Sequence, residues 1–188
     1  IKRSPLCGRN FEYFSEDPVV TADFARAVVD GIQSGDVVAT PKHYVANNQE
    51  TKRLVVSAEV GERPLRELYL PGFRAAVEAG AGSVMTAYNR VDGTHMSDHR
   101  RLLTEVLKGE GGFDGYVVSD WFGTESVVGA ANGGLDLEMP GISLEAMYDA
   151  FGIDADSDLL ESEDSEAISG PETATPKFAD GLETAIAS

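Results

Sequence analysis

Four groups of residues with chemistry to offer stand just beyond apolar runs. Lys42-His43 follows Val37-Val38-Ala39-Thr40-Pro41, and Tyr88-Asn89-Arg90 closes the run that starts at Ser83. Asp120-Trp121 follows Tyr116-Val117-Val118-Ser119, and Glu138-Met139 follows Leu135-Asp136-Leu137. Plain turns would place Gly, Asn or Ser at most of these points. Four polar or aromatic groups in phase indicate the rim of an active site instead. Asp120 is the sharpest candidate. A carboxylate beside an indole suits reaction at a sugar, with the indole on the apolar face of the ring and the carboxylate at the anomeric carbon. The competing reading makes Asp120 the cap of the next helix. Lys42 and His43 can clamp sugar hydroxyls with their N–H donors. Their competing reading is a surface turn after Pro41.

Other chemistries have less support. The histidines are His43, His95 and His99, and the last two are four apart with Asp98 between them. Without a third convincing ligand, a zinc site is disfavoured and no metal is assigned. No GxSxG occurs, which argues against a serine hydrolase. Neither GxGxxG after a strand nor GxxxxGK[ST] is present, which argues against nucleotide binding. Lys42 as the Schiff-base residue of an aldolase or lyase is a separate alternative.

The elements that must position these groups alternate along the chain. Asp17-Pro18 reads as an N-cap and first helical residue, followed by Phe24, Ala25, Val28, Val29 and Ile32 at helical spacing and Gly35 as a stop. A short strand, Val37–Thr40 in sequence, ends at Pro41. A second helix starts near Pro64 and carries Leu65, Leu68, Tyr69, Phe73, Ala76 and Val77, with Pro71 kinking or dividing it. Ser83 to Tyr88 is the next strand. Ser97 is placed to cap a third helix with Leu102, Leu103, Val106 and Leu107 on one side, ended by Gly111-Gly112. Tyr116 to Ser119, a short helix around residues 125–132, and Leu135 to Glu138 complete the series. About four strand–helix repeats with short connections imply parallel strands joined by right-handed crossovers. A (β/α) barrel and an open doubly wound sheet both fit. The missing nucleotide motifs favour the barrel, and four units make roughly half of one.

Composition sets outer bounds. The chain has 188 residues, 42% hydrophobic and 25% charged, which is a globular balance. Its net charge of −17 argues against nucleic acid and against anionic lipid as partners. No apolar run reaches the ~18 residues of a membrane span. The single Cys7 excludes a disulfide framework. The chain starts at Ile1 in mid-pattern and is expected to be a fragment, so its compartment is left open. Residues 1–153 carry 22 acidic and 14 basic residues, while residues 154–188 carry 10 acidic residues and only Lys177. Residues 154–177 are expected to be an acidic flexible loop, and residues 178–188 the start of a further helix with Phe178, Leu182 and Ile186 four apart. Acidic, lysine-poor surfaces suit proteins that work in high salt.

Six collinear segments resemble family 3 glycoside hydrolases, the β-glucosidase group. They are RSPLCGRNFEYFSEDP (residues 3–18), KHYVANNQE (42–50), ERPLRELYLPGF (62–73), VMTAYNRVDG (84–93), GFDGYVVSDWFGT (112–124) and GLDLEMPG (134–141). The resemblance implies an α/β fold, part of a TIM-like (β/α)8 barrel incomplete at both ends, with residues 1–153 as the C-terminal portion of the barrel domain. It implies that Asp120 is the catalytic nucleophile and Trp121 the aromatic lining of the sugar subsite. It further implies that Arg9, Lys42 and His43 hold hydroxyls of the nonreducing sugar, and that Met85 and Tyr88 complete the subsite. Glu16 and Asp17 look structural, and Glu138 has no firm role.

The same resemblance implies a retaining mechanism without metal or organic cofactor. That mechanism needs two carboxylates about 5–5.5 Å apart, and only one is found in this chain. Family members draw the general acid/base from a second α/β domain, expected beyond Ser188, and a sugar-binding aspartate from a region expected before Ile1. The isolated chain is therefore expected to be inactive. The N-acetylglucosaminidase branch typically carries KHFPGHG where this chain has KHYVANNQE, which leans the reading to β-glucosidase. The expected ligand is a β-glucoside or oligosaccharide. A β-xylosidase of the same family and a catalytically inactive sugar-binding remnant stand as alternatives.

Overall fold

The computed structural model describes residues 1–142 and 144–151. The expected acidic loop and the helix after it lie outside the described residues.

Four extended segments line up side by side in chain order. Residues 39–45 come first: Ser83 N donates to Ala39 O (3.3 Å), Met85 N to Pro41 O (3.1 Å) and Tyr44 N to Met85 O (2.8 Å). Tyr44 and Thr86 form a parallel bridge. The segment starts later than the sequence indicated. Val37 and Val38 are exposed, and Pro41 does not end the strand but joins it through its carbonyl, having no N–H to give.

Taking the elements in order, α1 (Pro18–Gln33) precedes this segment. A two-residue strand β1 (Ser57–Ala58) and the short helix α2 (Glu62–Pro64) follow it. Then come α3 (Leu70–Glu78), β2 (Ser83–Met85), β3 (Arg90–Val91), β4 (Thr94–His95) and β5 (Tyr116–Val118). Helices α4 (Val127–Gly133) and α5 (Leu144–Phe151) close the described part. Strands β2 and β5 are parallel, with Ser83 opposite Tyr116 and Met85 opposite Val118. A parallel bridge joins Val118 to Leu137. The sheet order is thus 39–45, β2, β5, 135–137, all parallel. This is an α/β fold and part of a TIM-like barrel.

Local chemistry explains most of the helices. Asp17 Oδ1 accepts from Val19 N (2.7 Å) and Val20 N (3.3 Å), and Pro18 opens α1. On α1 the strip holding Val29 is buried, while Phe24, Val28 and Ile32 are exposed. Between α2 and α3 the residues Leu65–Tyr69 wind as a π-helix. Pro71 lies just beyond, where its ring cannot accommodate a regular preceding turn, so the division expected from the sequence is observed. Ser97 does not cap the third helix. It lies in a 3₁₀ turn, Met96–Asp98, where its hydroxyl donates to Asp98 Oδ1 (2.8 Å) and accepts from Glu125 N (3.1 Å). The following π-helix, Arg101–Glu110, has no side-chain cap. Its Leu102, Leu103, Val106 and Leu107 are buried, as their spacing predicts. Together with Tyr44, Leu65, Val84, Met96 and Val117 they form the main core under the sheet.

One feature has no counterpart in the alternating pattern. Arg90 pairs with His95 and Val91 with Thr94 in a hairpin. Asp92 (φ 47°) and Gly93 (φ 86°) make its turn. Both central residues have positive φ, which Asp-Gly favours.

Candidate active site

The polar ends of the strands converge. Arg9 stands at the start of a 3₁₀ turn, Asn10–Glu12, and Tyr13 N donates back to Asn10 O to close it. This turn delivers three side chains to one place. Glu12 Oε2 accepts from Arg9 Nη2 at 2.6 Å and sits 3.1 Å from Lys42 Nζ. Burial pushes the Glu12 carboxyl up, but the hydrogen bonds from Arg9 and Lys42 outweigh it and hold Glu12 below its usual range. The third side chain, Tyr13, places its hydroxyl 2.8 Å from His43 Nδ1.

His43 is 3% exposed, so the surface-turn reading fails for it. Lys42 is the more open of the pair. Burial lowers the His43 pKa to about 3, and the charges of Arg9 and Lys42 add to the effect. The imidazole is therefore neutral near pH 7. Its Nε2 lies 3.3 Å from Asp120 Oδ2. The two atoms face each other without good hydrogen-bond geometry, and both are buried without another hydrogen bond.

Asp120 sits at the end of β5 in a tight turn. Gly123 N donates to Asp120 O (2.9 Å). Phe122 adopts φ 59°, as position three of a type II turn requires. A Cβ on Gly123 would lie 3.1 Å from Asp120 O, so glycine suits the close approach. Asp120 Oδ1 accepts from Trp121 N (2.8 Å), which leaves Oδ2 as the oxygen turned to His43. The helix-cap reading of Asp120 is set aside: Ser126 caps α4, its Oγ accepting from Gly129 N (3.0 Å).

Trp121 and Tyr88 flank the carboxylate. The Trp121 side chain is exposed and meets the Phe122 ring edge-on. Tyr88 donates its hydroxyl proton to Trp121 O (2.8 Å). Burial, and then the charge of Asp120, push the Tyr88 hydroxyl well above its usual range, so it remains a donor. Met85 is half-buried at the end of β2, its backbone bonded to Pro41 and Tyr44 on either side of Lys42-His43. Arg9, Lys42, His43, Tyr88, Asp120 and Trp121 are thus brought to one end of the sheet, with Met85 beside them.

His95 and His99 go elsewhere. His95 Nε2 lies 3.4 Å from Glu125 Oε2. His99 Nδ1 accepts from Leu102 N (3.4 Å) at the start of the π-helix. Among the described residues, no group of three or more His, Cys, Asp or Glu is placed to hold a metal ion.

Three site neighbours escaped the sequence reading: Glu12, Tyr13 and Arg53. The guanidinium of Arg53 lies 4.8 Å from the centre of the Tyr88 ring and pairs with Glu50 at 2.9 Å. All three lie in segments whose spacing carries no periodic signal. Only their closeness to Arg9 and to KHYVANNQE could have flagged them.

Comparison with known proteins fits this geometry. Residues 1–151 match the family described as glycosyl hydrolase family 3 N terminal domain. A β-glucosidase from Rhizobium radiobacter is 55% identical over 142 residues, 75% of this chain and 17% of that protein. Thermostable β-glucosidase B from Acetivibrio thermocellus is 53% identical over 141 residues, 74% of this chain and 19% of that protein. The chain therefore spans less than a fifth of the length of these curated relatives. Among solved structures, β-glucosidase 3B from Thermotoga neapolitana in complex with glucose is 52% identical with a TM-score of 0.74, covering 75% of this chain and 20% of that one. The same enzyme in complex with glycerol aligns over 98% of this chain and 23% of that one, at 41% identity and a TM-score of 0.77. A match across residues 1–151, on a fold of the same kind, places this chain in glycosyl hydrolase family 3, within its N-terminal domain.

Proposed function

We propose that this chain carries the nucleophile and sugar-binding part of a retaining, β-glucosidase-like glycoside hydrolase. The observation that carries the reading is the Asp120 carboxylate. One oxygen is held by Trp121 N. The other is buried and bare of hydrogen bonds, beside a neutral histidine and an exposed indole. The curated relatives named β-glucosidase and the solved relative in complex with glucose support it.

In this mechanism Arg9, Lys42 and His43 take hydroxyls of the nonreducing glucosyl unit. Trp121 lies against the ring, with Met85 and Tyr88 completing the subsite. Asp120 Oδ2 forms a bond to the anomeric carbon as the bond to the leaving oxygen breaks. A carboxylic acid from a second α/β domain, outside residues 1–188, gives that oxygen its proton. Water, deprotonated by the same group, then releases glucose from Asp120 with retention. The acidic composition adds a proposal about setting: the protein works at high salt.

The test is Asp120→Asn in the full-length protein. A loss of kcat on the order of 10⁴-fold is expected for a covalent nucleophile, together with labelling of Asp120 by a 2-deoxy-2-fluoroglucoside. Near-normal turnover by the variant sinks the assignment. The 188-residue chain alone is expected to release no aryl aglycone from a β-glucoside, and measurable turnover would show that it holds its own acid.

A further inference from the structure

We propose that Tyr13 is a positioning residue for His43: its hydroxyl donates to Nδ1 and so fixes the Nε2–H tautomer that faces Asp120. The geometry is direct. The Tyr13 hydroxyl oxygen is 2.8 Å from Nδ1, the rings meet edge to face at 65° with centroids 6.1 Å apart, and Nε2 on the far side is 3.3 Å from Asp120 Oδ2. The His43 side chain is 1% exposed, so water does not arbitrate between its nitrogens.

A neutral imidazole has one N–H to place. With the proton on Nδ1, Tyr13 would accept, and the Nε2 lone pair would face a carboxylate oxygen in a site shielded from water. With the proton on Nε2, every facing pair is donor against acceptor. The second arrangement is favoured strongly where the local dielectric is low. Its elements are available. Burial pushes the Tyr13 hydroxyl well above its usual range, so it keeps its proton. The charged groups around the imidazole are Arg9, Lys42 and Arg53, which disfavour a second proton, and Glu12, which favours one, as does the Asp120 carboxylate 3.3 Å from Nε2. The first two cations prevail with burial, so the ring stays singly protonated.

The consequence is a fixed polarity. His43 presents a donor to whatever shares its space with Asp120, and a ligand hydroxyl there accepts from it. What that donor serves rests on the sugar-pocket reading. The tautomer itself does not, so the two can fail separately.

The test is long-range ¹H–¹⁵N correlation NMR of the ¹⁵N-labelled 188-residue chain near pH 7. The expected His43 pattern is protonated Nε2 and an Nδ1 shifted upfield by the accepted hydrogen bond. In Tyr13→Phe, Nδ1 moves downfield and the Nε2–H population falls, while His95 and His99 keep their positions. If Tyr13→Phe does not fold, 3-fluorotyrosine at position 13, a stronger donor of the same shape, should move Nδ1 further upfield. The proposal is overturned by a protonated Nδ1, by an Nδ1 indifferent to both variants, or by a His43 indistinguishable from free histidine. Glycosidase activity enters none of these readouts.

Discussion

His43 stands among charges of opposite effect, the cations Arg9, Lys42 and Arg53 against the carboxylates of Glu12 and Asp120, and burial sides with the cations. Its proton is held near pH 3 in the folded chain against an ordinary value of 6.5. Between those values the unfolded chain binds more protons, so stability is full above about pH 6.5 and falls as pH drops towards 3. The slope from one such group is at most about 1.4 kcal/mol per pH unit. Urea unfolding of the chain at stepped pH should show this fall, and His43→Asn should flatten it; an unchanged slope in the variant would exclude His43 as its source. Glu12→Gln makes a second prediction. Removing that carboxylate takes away a neighbour that favours the imidazolium, so His43 should titrate at still lower pH. An upward move in an NMR titration would mean that Glu12 acts on the ring otherwise than through its charge.

Elements translate these side chains into place, and two substitutions probe how. Tyr116 N donates to Gly82 O (3.2 Å) at the start of the β2–β5 ladder. A Cβ on Gly115 would fall 2.3 Å from that same oxygen. Gly115→Ala is expected to cost about 1–3 kcal/mol, as overpacking does, read from the urea midpoint. Asp17→Ala removes the α1 cap and is expected to cost about 1 kcal/mol. Such elements were also the most legible part of the sequence. Asp17-Pro18, the buried stripe of Leu102, Leu103, Val106 and Leu107, and the strand before Asp120 all follow from local rules. The first strand begins two residues later than the β-branched Val37 and Val38 suggest, because both side chains are exposed. Ser97 looked like a cap because its type fits, yet Asp98 and the Glu125 backbone claim its hydroxyl. The site was legible at strand ends and opaque in the Asn10–Glu12 turn, whose side chains gain meaning only when the fold brings them to Lys42 and His43.

The whole molecule carries −17, and residues 154–188 hold a net −9 of it. Like charges on one chain repel, and salt shortens their reach from about 10 Å at 0.1 M to about 3 Å at 1 M. The melting temperature is expected to rise with potassium chloride over that range and beyond. A flat or falling trend would count against adaptation to high salt. The sequence also contains a single tryptophan, and it is Trp121, exposed beside Asp120. All indole emission from this chain therefore originates at the proposed sugar subsite. A ring settling on that indole would shed its water and shift its light to shorter wavelength. Affinity could then be followed by fluorescence with no chromogenic substrate, even in an Asp120→Asn protein that turns nothing over.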